Sequence, residues 1–335
     1  MFRIVTTAAH RPSDYTSTRR RTLNFEVTGG ERAAAFEVGA SRPAPAPVLT
    51  ATSRRYVVVT NKKERVMTKD TNRSKNGGGN ERREEFRSDR PISAVIVTRS
   101  GDVTVRASTS GDVGVVLGAN RASGAELLDR AVIRYDEARA TLEVETIPGG
   151  ARGPRLGDLF SGGGDLDVVL TLPEGSDLQV TTVSGDTLLG AALADVKVTS
   201  ASGDVRATET LEEFDVRTAS GDVTAAAVRS RLRCRVASGD VRAQAAATTE
   251  IASASGDVEL TSAGPGDLKV NSASGDVTVH VASGVTVDVT GRTVSGSLRS
   301  EIDLDGEGSD ASNGELSFIK VNTVSGDILI DRARH

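Results

Sequence analysis

Apolar and polar residues alternate along much of this chain, and the alternation is interrupted at a recurring tripeptide, Ser-Gly-Asp. The tripeptide occurs nine times, at 100–102, 110–112, 184–186, 202–204, 220–222, 238–240, 255–257, 274–276 and 325–327. From the glycine at 185 to the glycine at 275, successive steps are 18, 18, 18, 17 and 19 residues. A fixed internal period of this length indicates a repeat architecture.

Within each repeat, apolar residues recur at fixed distances on both sides of the glycine. Seven residues before it stand Val196, Phe214, Leu232, Thr249 and Leu268, and five before it stand Val198, Val216, Cys234, Ile251 and Val270. Two residues after it stand Val205, Val223, Val241, Val258 and Val277, and four after it stand Ala207, Ala225, Ala243, Leu260 and Val279. A period of two on both sides of a turn predicts two half-buried strands per repeat.

These strands could form hairpins or stacked coils. The identical columns, with Val at all five positions two after the glycine, favour stacking, with each turn about 4.8 Å above the last. A left-handed hexapeptide helix is excluded because the residues six and twelve after Val198 are Asp204 and Thr210. We therefore predict an all-β, single-stranded parallel β-solenoid with coils of about 18 residues, which Leu211 and Val228 close from inside.

Residues 91–180 are less periodic, and we expect them to form the first layers and the N-terminal cap. They contain a predicted hairpin around Asp136–Arg139, one helical turn within 122–129, a Gly-rich loop at 148–165 and a strand at 166–172. At the other end, Ile328 and Ile330 are expected to stabilise the last layer. The charged sequence "DRARH" that follows should discourage end-to-end stacking.

Charge divides the chain at about residue 90. Residues 1–90 carry 19 Lys and Arg against 10 Asp and Glu, whereas residues 91–335 carry 22 against 36. We predict a disordered basic segment over 1–90 and the solenoid domain over 91–335. The purine-rich codons possible for "KKER" before Met67 suggest that translation starts there and that 1–66 is not translated.

The Ser-Gly-Asp turns are the main candidates for chemistry, and we interpret them as structural. Gly supplies a φ that other residues resist, and Ser and Asp side chains bond nearby backbone amides. The residues concerned are Gly185, Asp186, Gly203, Asp204, Gly221, Asp222, Gly239, Asp240, Gly256, Asp257, Gly275, Asp276, Gly326 and Asp327. A calcium ladder is the alternative, although calcium β-rolls have a denser nine-residue repeat.

Other chemistry has little support in the sequence, so no catalytic, cofactor or metal residue is assigned. Histidines have no second ligand at metal spacing, and His280 should face solvent. Cys234 lies in an inward column and is expected to be an inert apolar filler. A carbohydrate-active solenoid enzyme would need paired carboxylates that break the repeat, and the acidic residues follow it instead.

The blocks "SASGDV", "LDVVLTLPEGSDLQVTTVSGD" and "VNTVSGDILI" resemble the bacterial putative-adhesin domain family over roughly 91–335. This resemblance implies a β-solenoid of unknown function. We expect a non-catalytic scaffold or binding protein, with a surface adhesin for glycan or protein as the alternative and the enzyme as a second one.

The expected partner is an unidentified protein or polymer, with self-association possible. The acidic body argues against nucleic acid. The sequence shows neither a membrane span nor a signal peptide, so the cytoplasm is the expected location and the cell surface the alternative.

Overall fold

The computed structural model describes residues 2–5, 80–119, 124–146, 165–245, 248–302 and 316–333. In chain order these residues form β1 (Phe2–Val5), β2 (Glu81–Arg87), β3 (Ser93–Val97), β4 (Val103–Ala107), β5 (Asp112–Ala119), α1 (Gly124–Arg130), β6 (Val132–Asp136), β7 (Thr141–Glu145), β8 (Leu166–Leu172), β9 (Asp177–Thr181), β10 (Thr187–Gly190) and β11 (Leu193–Ser200). There follow β12 (Val205–Ser220), β13 (Val223–Ser238), β14 (Val241–Ala245), β15 (Thr248–Ser255), β16 (Val258–Ser262), β17 (Asp267–Ser274), β18 (Val277–Val281), β19 (Thr286–Arg292), β20 (Leu298–Ser300), β21 (Leu316–Ser325) and β22 (Ile328–Arg332).

Each central coil contributes one strand before its Ser-Gly-Asp turn and one after it, and successive coils pair in parallel. Val205 lies opposite Val223, which in turn lies opposite Val241. On the other side of the turn, Val216 lies opposite Cys234. The register therefore follows the sequence period, and the predicted parallel β-solenoid is confirmed.

The core is a narrow stack of aliphatic side chains. Every residue of the four predicted inward columns is buried, and so are Leu211 and Val228, which close their coils. Phe214 is the one aromatic side chain in the buried core of the described residues. The register shifts between Ala207 and Thr210, and again between Ala225 and Val228, so bulges turn the chain toward the next coil.

The strands form two rows, one on each side of the turns. The first row runs β6, β7, β3, β9, β11, β12, β13, β15, β17, β21, β19, β1. The second runs β2, β5, β8, β4, β10, β12, β13, β14, β16, β18, β22, β20. Strands β12 and β13 cross from one row into the other.

At both ends the order of layers differs from the order of the chain. The first coil, β3 and β4, is covered by the later strands β7 and β8. The last coil, β21 and β22, lies between β17–β18 and β19–β20. The expectation that Ile328 and Ile330 occupy the last layer was therefore wrong, because the chain folds back and inserts that coil one layer inward.

The tail after the last coil is consequently not at the end of the stack. Arg332 donates hydrogen bonds to the carbonyls of Ala282 and Val285, each at 3.0 Å. Residues 334–335 lie outside the described residues. The sequence suggested that this charged tail discourages end-to-end stacking. The structure corrects that expectation, because the tail begins beside an internal layer.

The less periodic N-terminal part contains antiparallel strands. β6 and β7 form the predicted hairpin, and β5 pairs antiparallel with both β2 and β8. α1 matches the predicted helical turn, and Arg82 of β2 donates to the Leu128 and Ala131 carbonyls at its C-terminal end. The predicted loop at 148–165 lies almost entirely outside the described residues.

The sheet begins before residue 91. β2 is a strand over Glu81–Arg87, ten residues before the position at which the sequence predicted that the solenoid domain begins. β2 pairs antiparallel with the edge of β5, and its Phe86 packs against the core. β1 adds an antiparallel strand on β19. The remaining residues of the segment 1–90, and the hypothesis of a start at Met67, lie outside the described residues.

Among the described residues, helical structure is confined to the seven residues of α1, and no helix there is long and apolar enough to cross a membrane.

Candidate functional site

The glycines of the turns form a continuous line along the stack, here called the glycine column: Gly101, Gly185, Gly203, Gly221, Gly239, Gly256, Gly275, Gly326 and Gly296. Each has a positive φ, from 99° at Gly101 to 145° at Gly296. The backbones also approach closely, because a Cβ added at Gly239 would lie 2.2 Å from the Gly221 carbonyl oxygen. The column therefore needs glycine both for its dihedral angle and for its contact with the layer below.

The aspartates form a second line, here called the aspartate column, in which each side chain bonds the next layer. Asp204 Oδ1 accepts a hydrogen bond from the backbone N–H of Asp222 at 2.9 Å, and Asp222 Oδ1 accepts from Asp240 in the same way. The remaining bonds of the column join Asp167 to Asp102, Asp102 to Asp186, Asp186 to Asp204, Asp240 to Asp257, Asp257 to Asp276, Asp276 to Asp327 and Asp327 to Ser297. Each carboxylate thus ties two adjacent coils.

Hydroxyl groups stabilise the turns from inside. Ser200 and Thr218 each donate to the carbonyl oxygen of the serine two residues later, at 2.8 Å in both turns. Thr182, Ser272 and Thr323 repeat the contact in their own turns. Each bond satisfies a carbonyl at a corner where the strand ladder is interrupted.

The aspartate column places like charges about one layer apart, roughly 4.8 Å. Most of its side chains are exposed, so water screens their repulsion. At its end, hydrogen bonding from the Ser297 backbone N–H lowers the pKa of Asp327 below its ordinary value. The described residues contain no group of three or more His, Cys, Asp or Glu that could hold a metal ion.

Outward rows beside the column carry alternating charges. Glu250 lies between Arg233 and Lys269, with each of these ion pairs at 3.3 Å. The hydrogen bond from Lys269 is the main cause of a lowered pKa at Glu250. Such pairs in adjacent layers favour the parallel register, although exposed ion pairs stabilise a protein only slightly.

A row of small apolar residues runs along the stack, directly before the serine of each Ser-Gly-Asp turn. We call it the alanine row: Ala201, Ala219, Ala237, Ala254 and Ala273, one in each of five successive layers. All five are exposed. Each precedes the serine of its turn, and these serines are paired in register from Ser220 to Ser238, Ser255 and Ser274. The surface therefore carries one exposed alanine in each of five layers, beside the row of turn serines.

Cys234 has the surroundings that the sequence predicted, whereas His280 does not. Cys234 is fully buried, as expected, and burial raises the pKa of its thiol to about 12. His280 was expected to face solvent, but its side chain is only 26% exposed and lies between two carboxylates. Its Nδ1 is 2.5 Å from Asp331 Oδ1, and its Nε2 is 3.6 Å from Glu259 Oε1.

One pocket could not be found from the sequence because its residues come from three separate segments. It has a volume of about 260 Å³ and is lined in part by Arg90, Ile92, Arg139 and Asp177. Both guanidinium groups already have partners within the fold. Arg90 donates to the Ala138 carbonyl at 2.8 Å, and Arg139 pairs with Asp136 at 3.5 Å.

Comparison with protein families gives a match to the model described as Toastrack DUF4097 over residues 92–331. No curated protein gives a significant match. Among similar solved structures is a putative adhesin from Bacteroides fragilis, at 13% identity and a TM-score of 0.43, covering 76% of this chain and 97% of that one.

Two further similar structures come from Parabacteroides. A putative adhesin from Parabacteroides merdae has 10% identity and a TM-score of 0.37, covering 77% of this chain and 98% of that one. A protein from Parabacteroides distasonis described as a putative lipid binding protein has 13% identity and a TM-score of 0.35, covering 76% and 98%.

Proposed function

This chain belongs to the Toastrack DUF4097 family, and from that premise and the geometry above we propose that it is a non-catalytic scaffold that binds an extended partner along one face. The alanine row is the observation that carries the proposal. Five small exposed side chains lie in five successive layers, so this row changes little from one coil to the next. A repeating surface of this kind suits a polymer or an extended protein better than a compact ligand.

The turns have a structural role in this proposal. One oxygen of each aspartate in the column is already used by the next backbone N–H, and the glycines allow coils to approach. Loss of either contact would disturb the spacing of the binding face. The glycine and aspartate columns therefore hold the coils of the scaffold at a fixed spacing. A calcium ladder remains the alternative interpretation of the aspartate column.

The absence of catalysis is also part of the proposal. Catalysis requires a local arrangement that differs from its neighbours, such as two carboxylates about 5 to 10 Å apart with distinct environments. The carboxylates of the aspartate column instead repeat the same contact in each layer. Release of products from a panel of oligosaccharides would contradict this part of the proposal.

Binding can be tested with a matched pair of triple variants. The first, Ala219→Arg with Ala237→Arg and Ala254→Arg, places three long cations on the alanine row. The second, Thr208→Arg with Ala226→Arg and Gln244→Arg, places the same charge at exposed positions after the turns in neighbouring layers. Both should melt at temperatures close to that of the parent protein, because every substituted side chain is exposed.

The measurement is retention on cellulose, chitin, peptidoglycan and fibrillar collagen at physiological salt. We expect the parent to bind at least one of them, the first variant to lose affinity by about tenfold or more, and the second to stay within about twofold. Equal losses in both variants would show that charge, not the alanine row, controls binding. No retention on any of the four would contradict the polymer class proposed here.

The location expected from the sequence, the cytoplasm, belongs to the same proposal, with the cell surface as its alternative. An immunoblot of cytosolic, membrane and surface fractions from the native host distinguishes them. A cytosolic band supports an internal scaffold, whereas a surface band supports the adhesin alternative and makes host-matrix proteins the next binding partners to test.

A further inference from the structure

The first strand row ends in a short strand: β1, of four residues, pairs with the outer edge of β19. Phe2 lies opposite Gly291, Arg3 opposite Thr290, Ile4 opposite Val289 and Val5 opposite Asp288. β1 has no other strand partner among the described residues. A short strand that is held on one side only is the most easily displaced strand of a sheet.

A separate observation marks the same end as an interaction surface. Four large apolar side chains are exposed among the described residues, and three of them lie in the two layers formed by β21 and by the chain from β19 to β20. These are Phe318 at 51%, Val324 at 55% and Val294 at 83% exposure. The Ser295 N–H donates to the Val324 carbonyl at 2.9 Å, which places Val294 and Val324 side by side. Val294 and Val324 therefore form an exposed apolar pair, and Phe318 is a separate exposed residue earlier in the same strand as Val324. Exposed apolar side chains that lie together are typical of interaction surfaces.

From these observations we propose that the β19 edge is a strand-addition site and that β1 of a second copy of this chain fills it. The register supports the β1 sequence as the strand that fills this edge, because the apolar residues Phe2 and Ile4 occupy positions opposite the buried Gly291 and Val289. Addition of a strand to an open edge is an established mode of protein association. The exchange involves the end of the stack and does not depend on the alanine row. It requires that residues 1–66 be translated, contrary to the start at Met67 that the sequence suggested.

The length of the chain between β1 and β2 allows both the intramolecular and the intermolecular arrangement. β2 ends the second row at the opposite end of the stack, eleven strand steps from β20, or about 53 Å. Residues 6–80, which join β1 to β2, number 75, and a fully extended chain of that many residues would reach about 250 Å. Chain length therefore permits β1 to pair with its own chain or with a second copy, and exchange between copies competes at high protein concentration.

Disulfide trapping in the full-length protein tests the exchange. Arg3→Cys is made in one preparation and Thr290→Cys in another, at positions that face each other in the antiparallel register. The α-carbons of such a pair are about 4.5 to 5.5 Å apart, which suits a disulfide. The natural Cys234 is buried and its thiol stays protonated, so it does not interfere. A mixed disulfide above the random background therefore requires that β1 of one chain pair with β19 of the other.

After mild oxidation of the mixture, we expect a heterodisulfide, identified by its linked peptides, at a yield at least about fivefold above that of Arg3→Cys mixed with Thr224→Cys. Thr224 is a matched control because it is an outward position in the middle of the stack. A synthetic peptide of residues 1–7 should lower the yield by competing for β19. The far-ultraviolet spectrum and melting temperature of each variant establish that it is folded.

Three results would overturn the proposal. A yield equal to the control would mean that copies do not exchange β1, and a yield that the peptide does not lower would mean that β19 does not select this strand. Failure of the double variant Arg3→Cys with Thr290→Cys to close a disulfide within one chain or between chains would mean that β1 does not occupy the β19 edge.

Discussion

Glycine is required in the column for two separate reasons, and three substitutions can separate them. Gly239→Ala would force both a φ of 136° on alanine and a contact of 2.2 Å with the Gly221 carbonyl. We expect it to lower the free energy of unfolding by about 3 kcal/mol or more, since neither strain can relax without parting two coils. Chemical denaturation followed by circular dichroism measures the change.

Two other glycines serve as controls for that substitution. Gly284 has a φ of 81° but nothing within 4 Å of an added Cβ, so Gly284→Ala should lower the free energy of unfolding by about 1 kcal/mol. Gly118 has neither a positive φ nor a close neighbour, and Gly118→Ala should change it by less than about 0.5 kcal/mol. Equal effects at Gly239 and Gly284 would show that close contact between coils contributes nothing.

Asp195 supplies a prediction about pH. Partial desolvation raises the pKa of its carboxyl first of all, the carboxylates of Glu213, Asp177 and Asp215 raise it further, and Lys197 lowers it. A folded-state pKa above the unfolded value means that protonation favours folding, so this contribution is present below the unfolded value of about 3.8 and is lost as pH rises through the folded pKa. At pH 7 the ionised Asp195 therefore opposes folding.

Asp195→Asn removes that opposition. We expect it to raise the free energy of unfolding at pH 7 by about 0.3 kcal/mol, a small value because the side chain is largely exposed. The gain should vanish at pH 3. Asp267→Asn is a suitable control, because Asp267 has the corresponding position in its coil but lies opposite Phe318. A gain at pH 7 that persists at pH 3 would mean that charge is not its cause.

At the scale of elements, the inserted last coil can be tested through Ile330. This side chain is fully buried in β22, with β18 on one side and β20 on the other. Ile330→Asp should lower the free energy of unfolding by about 4 kcal/mol or more, because it buries a charge without a partner. Leu329→Asp, at the neighbouring outward position, should lower it by less than about 1 kcal/mol. Similar melting temperatures for both variants would contradict the position assigned to β22.

The pairing of the central strands could be predicted from the sequence, but the order of the end layers could not. The Val205, Val223 and Val241 column repeats at a constant step, so one register satisfies every layer. At the C-terminal end, the alternating pattern of β21 is compatible with either β17 or β19 as a neighbour, and in the structure Ile319 lies between Leu268 and Val289. An alternating pattern identifies the inward face of a strand, whereas its neighbours depend on the competition between several similar strands.

The same limit applies to the candidate site. The glycine column could be found because its tripeptide repeats, and the alternation placed Cys234 inside. The surroundings of His280 could not be found, because Asp331 reaches it from β22, 51 residues along the chain. The apolar cluster formed by Val294 and Val324 was missed for a related reason, since it exists only after the last coil has been inserted.

For the stack as a whole, insertion at both ends places the first and last coils away from the exposed edges. β3 and β4 are covered by β7 and β8, and β21 and β22 are covered by β19 and β20. In a stack that followed chain order, local opening would begin with the last coil. Here β21 and β22 have strand partners on both sides, so opening them also requires loss of the layer outside them.

Hydrogen exchange can distinguish these two orders. We expect amides of β22 to exchange about as slowly as those of β16, which also has partners on both sides. Amides of β20 and β2 should exchange at least about tenfold faster, because each pairs on one side only among the described residues. Mass spectrometry of peptic fragments after timed exchange provides the comparison. Faster exchange in β22 than in β20 would mean that the last coil opens first, as chain order alone would require, and that its insertion between β18 and β20 is not maintained in solution.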